Sequence, residues 1–219
     1  MALRRLAAEQ PDDFAFNAES MALAQWWIAK YPPDRKQSAV IPLLWIAQKQ
    51  DGWVSEPVIR VIAEMLGMAR IRVYEVATFY TMFNLSPMGK FHLQVCGTTP
   101  CMLRGSNDLL ALCKKQIGPK EIPSADGMLS WTEVECLGAC VNAPIVQVND
   151  DYIEDLDIPA FEAMIDGMRR GQAPQVGSTR RRQCSAPEGG ATTLTDPRLY
   201  DGSRAQAIRL PNPPKPAAE

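Results

Sequence analysis

Four of the six cysteines fall into two close pairs, Cys96-Gly-Thr-Thr-Pro-Cys101 and Cys136-Leu-Gly-Ala-Cys140, with spacings C-x4-C and C-x3-C. Each pair follows a segment that reads as a β-strand, and strand ends with short loops can aim two thiolates in one direction. Two such loops side by side would bring four sulfurs together. Four thiolates suit the two irons of a [2Fe–2S] cluster, two for each iron. A structural zinc site of four cysteines is the leading alternative, because zinc also takes all-thiolate coordination, although its pairs usually show C-x2-C. A thioredoxin-type dithiol has less support, since no C-x-x-C occurs in the chain. Spacing therefore favours iron–sulfur and leaves zinc open. The small residues Gly97, Thr98, Thr99, Gly138 and Ala139 would let backbone N–H groups approach the sulfurs, where hydrogen bonds help set a redox potential.

The remaining chemistry is sparse. His92 is the single histidine, which excludes a two-histidine Rieske centre and leaves little for mixed Cys/His zinc sites or histidine triads. It shares a strand side with Gln94 and reads as a surface or polar-contact histidine. Cys113 lies on a helical face with Leu109 and Leu112 and reads as a small buried hydrophobe. Cys184 falls in an irregular tail and reads as an exposed thiol without function. Trp26-Trp27 and the methionines read as packing. There is no G-x-G-x-x-G after a strand, no phosphate loop and no acid/base set, so no catalytic residue is identified.

The elements that must position the cysteines begin with helices. Asn17 is suited to cap a helix through Ala22, Trp26 and Ala29, which Tyr31-Pro32-Pro33 would end. Asp34 and Gln37 resemble a capping box for a second helix through Ile41, Leu44 and Ala47, bent by Pro42 and ending near Gly52. Ser55 with Glu56-Pro57 starts a third, stopped at Gly67. Val73, Val76, Ala77 and Tyr80 continue at helical spacing, with Phe79 and Phe83 on other sides, so this fourth helix reads as apolar most of the way round, and as either central to its own domain, the favoured reading, or covered by a partner.

After Ser86-Pro87-Met88-Gly89 the pattern changes to alternation, with Phe91, Leu93 and Val95 on one side of a strand. A helix over residues 106–117, strands over 130–135, 145–148 and 152–153, and a helix over 159–169 follow, in the order β, α, β, β, β, α. Beyond Gly171 the chain is rich in Pro, Gly, Ser, Thr and Arg, including the basic triplet at 180–182, and cannot build a core of its own. The division is a helical domain over 1–88, a second domain over 89–170, and an extended partner-binding tail over 171–219.

Three segments carry a specific resemblance: Val76-Ala-Thr-Phe-Tyr-Thr-Met-Phe83, Val95-Cys-Gly-Thr-Thr-Pro-Cys101 and Glu135-Cys-Leu-Gly-Ala-Cys-Val-Asn-Ala-Pro144. Over roughly residues 17–170 the chain resembles the 24 kDa subunit family of respiratory NADH:quinone oxidoreductase, complex I. The resemblance implies an α+β fold: an N-terminal helical bundle, then a thioredoxin-like [2Fe–2S] ferredoxin domain, with an irregular C-terminal tail. It implies one cluster on Cys96, Cys101, Cys136 and Cys140, beside a larger flavoprotein subunit that binds FMN and NADH. It also implies a cluster off the main electron path to quinone, with temporary storage of a flavin electron as one proposed role. Ala143-Pro144 resembles the position where thioredoxin-like folds often carry a cis-proline. The tail after Gly171 departs from shorter family members.

The implied function is electron transfer within an oxidoreductase complex, by a subunit with no catalytic site of its own. Equivalent subunits of NAD-linked formate dehydrogenases or hydrogenases, a free-standing ferredoxin shuttle and a zinc-stabilised interaction module are the alternatives. The near balance of 23 basic and 25 acidic residues disfavours nucleic acid or an anionic membrane as partner. No apolar run approaches the roughly 20 residues of a membrane span. No secretory signal is apparent, so the expected place is peripheral, on the cytoplasmic side of a bacterial inner membrane or the matrix side in a mitochondrion.

Overall fold

Asn17 opens the first helix by accepting the backbone N–H of Ser20 at 2.8 Å, which satisfies one of the donors that every helix leaves free at its start. A computed structural model describes residues 4–182, 185–187, 189–190, 192–199 and 201. Within it, α1 spans Ala18–Ile28, α2 Val40–Asp51, α3 Glu56–Leu66 and α4 Arg70–Phe79. Leu43, Leu44, Ile62, Leu66 and Phe83 are fully buried at the centre of this helical unit. Glutamine side chains tie its loops: Gln48 donates to the Met82 carbonyl at 2.9 Å and accepts from the Asn84 N–H at 2.6 Å.

Two expectations for this unit need correction. Residues Pro33–Ala39 form a 3-10 run interrupted at Arg35 (φ −125°, ψ 15°), so Asp34 does not start α2. With the helix beginning at Val40, Pro42 falls in the first turn, where a missing N–H forfeits no helical bond and the reason for a bend disappears. Nor is α4 central. Only Val73 and Ala77 are buried along it, whereas Ile71 and Phe79 are 59% and 76% exposed. Phe83 lies past the helix end and turns inward on its own account, with its ring centroid 6.5 Å from that of Trp45.

The chain divides into two units, the first ending at Pro87 and the second beginning at Met88. The second contains β1 (Phe91–Cys96), α5 (Thr99–Leu103), α6 (Ser106–Gln116), β2 (Leu129–Val134), β3 (Val146–Val148), β4 (Asp151–Glu154), α7 (Ile158–Arg169) and β5 (Gly177–Ser178). Its five-stranded sheet has the order β2-β1-β3-β4-β5. β1 runs parallel to β2 and antiparallel to β3, β3 and β4 form a hairpin, and β5 is parallel to β4.

Register follows the alternation. Phe91 and Leu93 pair with Leu129 and Trp131, and Leu93 and Val95 with Val148 and Val146, so apolar residues from adjacent strands meet on one face. There they join Leu109 and Cys113 of α6 and Phe161 and Ile165 of α7 in a single core. Close backbone approach shapes the start of β1. A Cβ on Gly89 would stand 2.4 Å from the Leu129 carbonyl carbon, so any larger residue would push the strands apart.

Neither α5 nor β5 is among the elements expected from the sequence, and β5 changes the view of the tail. Residues 177–182 are held on their own chain: Ile153 and Glu154 pair with Gly177 and Ser178, the Thr179 N–H donates to the Glu154 carbonyl at 3.0 Å, and Arg182 bridges Asp155. The triplet at 180–182 is thus an internal anchor in part, because β4 is otherwise an open edge that needs a partner for its backbone groups. Cys184 and most of the tail beyond it lie outside the described residues.

Candidate functional site

β1 ends at Cys96, whose N–H donates to the Ile145 carbonyl at 3.2 Å, while the next amide, Gly97, donates to the Val134 carbonyl at 3.0 Å. The strand therefore delivers Cys96 between the ends of its two neighbours. Cys96 is 1% exposed and packs with Cys101, Ala143 and Ile145 in a small cluster apart from the main core. Cys101 is fully buried and sits on α5 rather than in a loop. Thr98 precedes this short helix and Pro100 stands in its first turn, the position where proline is at home. That Thr-Thr-Pro run is the available sequence signal for α5.

The second pair lies beyond the end of β2. Cys136 is exposed and Cys140 partly so, and their sulfurs are 3.4 Å apart. Gly138 turns the intervening loop through a left-handed conformation, φ +85°, and its N–H points at Cys136 Sγ, 3.4 Å away. Cys140 opens a 3-10 turn over Cys140–Asn142 that runs into the cis peptide bond between Ala143 and Pro144.

The two pairs meet. Burial pushes the Cys96 thiol up, but hydrogen bonds from the Thr98 hydroxyl and amide, the Cys101 thiol and the Leu137 amide outweigh it and leave Cys96 below the ordinary thiol value. Leu137 belongs to the Cys136–Cys140 loop and, with Ala139, packs against the cluster of Cys96 and Cys101, so the two loops lie together. Cys101 is pushed up to about 12, first by burial, then by donating to Cys96 and by the adjoining Cys96 and Cys140 thiolates. Its opposing influence is a hydrogen bond from the Ile145 amide. Cys140 is raised, chiefly through its hydrogen bond with Cys136.

The structure thus brings together all four cysteines of the two motifs as two pairs within electrostatic reach of one another. Among the described residues, no three His, Cys, Asp or Glu side chains are already drawn together closely enough to hold a metal ion. Paired thiols with backbone amides close by are an arrangement that a two-iron centre can use. The contributions of Leu137 and Ile145 come from their backbones, which no residue type advertises.

The other residues singled out go elsewhere. Cys113 is fully buried in the α6 core, where burial pushes its thiol up to about 12. His92 is no surface residue: it is 7% exposed, Nδ1 lies 2.8 Å from Ser130 Oγ, and burial lowers its pKa to about 4.

Residues 24–169 match the thioredoxin-like [2Fe–2S] ferredoxin family. Over 234 aligned residues, 99% of this chain and 85% of the relative, the sequence is 49% identical to the E 1 subunit of NADH-quinone oxidoreductase from Rhizobium meliloti (strain 1021). Over 159 residues, 72% of this chain and 95% of the relative, it is 55% identical to the E subunit of NADH-quinone oxidoreductase from Rickettsia bellii (strain RML369-C). Among solved structures, an NAD+-reducing [NiFe]-hydrogenase in its H2-reduced state superposes with a TM-score of 0.53 over 60% of this chain and 22% of that one, at 17% identity, a likeness of fold alone.

Proposed function

The chain belongs to the thioredoxin-like [2Fe–2S] ferredoxin family, and we propose that Cys96, Cys101, Cys136 and Cys140 are the four ligands of its one [2Fe–2S] cluster. It is an electron-transfer subunit of an NADH-quinone oxidoreductase and a member of a multisubunit complex. The observation that carries the ligand reading is the packing of Leu137 and Ala139, from the Cys136–Cys140 loop, against the buried cluster that holds Cys96 and Cys101, which sets the exposed pair beside the buried one. Counting iron and acid-labile sulfide in anaerobically purified protein tests it. Two of each per chain are expected, and stoichiometric zinc without sulfide would overturn the reading.

When bound, the cluster supplies one-electron redox chemistry. The chain's own residues hold and screen it. Cys96 and Cys101 lie in a closed apolar corner with Ala143 and Ile145, which excludes water from one side. Cys136 and Cys140 stand toward the surface, so this side offers the shorter route for an electron from outside. The Thr98 hydroxyl lies 3.3 Å from the Cys96 sulfur and the Gly138 N–H 3.4 Å from the Cys136 sulfur, placing polar groups of the kind that help set a cluster's potential.

The electron donor is an FMN- and NADH-binding flavoprotein subunit, docked where the exposed pair opens. Leu103 and Val141, next to the two ligand loops, are 77% and 67% exposed and supply apolar contact for such a partner. The helical part, 1–88, serves as a further docking element, 89–170 carries the cluster, and 171–219 extends toward neighbouring subunits beyond the stretch bound to β4. The assembly lies peripherally at the cytoplasmic face of the membrane, in keeping with the absence, among the described residues, of a helix long and apolar enough to span it.

A further inference from the structure

Arg182, far along the chain from Cys140, holds the turn that Cys140 begins. Its Nη2 donates to the Val141 carbonyl at 3.1 Å and to Asn142 Oδ1 at 2.5 Å. The same guanidinium grips Asp155 with two bonds, Nη2 to Oδ1 at 2.6 Å and Nε to Oδ2 at 2.9 Å. Arg182 and Asp155 side chains are 11% and 6% exposed, so the pair is shielded from solvent.

An ion pair that served only to fasten the tail would not need this reach. β5 is already held by pairing with β4, by the Thr179 bonds to Glu154 and Asp155, and by Ser178 Oγ donating to Asp155 Oδ2 at 2.6 Å. The two bonds to Val141 and Asn142 go beyond that fastening and end on the residues that follow Cys140. Asn142 is 4% exposed and is bonded in turn to Glu154 of β4. The Cys140 turn is therefore clamped between β4 and the strap, with a planar, multidentate cation as the closing piece.

We propose that Arg182 is a positioning residue for the [2Fe–2S] cluster: through Val141 and Asn142 it locks the Cys140 turn, and so sets how firmly the cluster is held and at what potential it accepts an electron. The inference rests on the ligand assignment proposed above. A fixed turn keeps the Cys140 sulfur in place in both oxidation states, as residues behind metal ligands commonly do. The guanidinium also balances Asp155. Without it the buried carboxylate keeps the Ser178 hydroxyl bond but loses its guanidinium partner, and the less compensated negative charge disfavours adding an electron.

The test uses the full chain, purified anaerobically, with two readouts: the rate of iron release to a chelator and the midpoint potential from an EPR-monitored titration. Arg182→Gln is expected to release iron about tenfold faster, the lower end of the usual effect of residues behind metal ligands, and to have a lower potential. Arg182→Lys restores the charge without the fork, so its potential returns toward wild type while release stays fast. Asp155→Asn shifts the potential the opposite way, upward, which loss of packing alone would not do. Wild-type release rate and potential in Arg182→Gln would overturn the proposal. Should that variant not fold, a wild-type release rate in Arg182→Lys overturns it equally. A wild-type chain with no cluster would overturn the ligand reading and this proposal together, whereas a normal cluster indifferent to residue 182 overturns this proposal alone.

Discussion

The N–H of Gly138 points at Cys136 Sγ, 3.4 Å away, and does so only because Gly138 adopts φ +85°. A side chain at that φ is strained even where space is open, and space is open here. Gly138→Ala is expected to destabilise the loop by about 1 kcal/mol and to weaken the sulfur hydrogen bond. Cluster absorbance per chain after overnight incubation should fall below wild type, with little change in the thermal unfolding of the helical unit. Equal retention in the two proteins would mean that the loop tolerates another path.

Cys101→Ala or Cys136→Ala should abolish or severely impair cluster binding, since each removes one of four thiolates. Cys113→Ala should keep the full cluster spectrum and lose about 1 kcal/mol of stability through a small cavity in the α6 core. Visible absorbance together with urea unfolding separates the two outcomes. Loss of the spectrum on changing Cys113 alone would show a misassigned ligand.

Acid should weaken the second unit through His92. Its folded pKa, about 4, lies below the ordinary 6.5 because burial disfavours the charged ring. The unfolded chain therefore binds a proton that the folded chain refuses, and stability present above pH 6.5 is lost as pH falls toward 4. The full effect is about 3 kcal/mol. Urea unfolding at a series of pH values, compared between wild type and His92→Gln, reads it: the variant should have the flatter profile. Parallel profiles would mean that carboxylates, not His92, govern the acid response.

The isolated, flavin-free chain should not reduce ferricyanide with NADH, because its sequence holds no nucleotide motif and no flavin partner is present. Reconstitution with the flavoprotein subunit should bring the activity and let NADH reduce the cluster. Turnover by the pure chain would refute this division of labour.

The two cysteine motifs and the alternation of Phe91, Leu93 and Val95 are legible without coordinates, because ligand chemistry and strand periodicity are local properties of residue type and spacing. The family follows from the same segments. The helix start at Asn17 is also plain, since a cap is a bond between near neighbours. The start of α2 is not. A capping-box pattern at Asp34 and Gln37 competes with 3-10 geometry, and packing around Val40 and Leu43 decides the outcome.

Burial likewise resists sequence reasoning. His92 and Gln94 share a parity on β1, yet His92 is buried against Ser130, because what covers a strand face depends on elements far away in the chain. The exposed face of α4 escapes it for the same reason: apolar residues all round a helix do not tell which of them find neighbours. At the site, the sequence by itself determined which side chains can bind metal. Tertiary structure alone decided that Leu137 packs against the cluster of Cys96 and Cys101 and that Arg182 reaches the Cys140 turn. Both contacts join segments distant in the chain, and neither a loop leucine nor a tail arginine announces its partner.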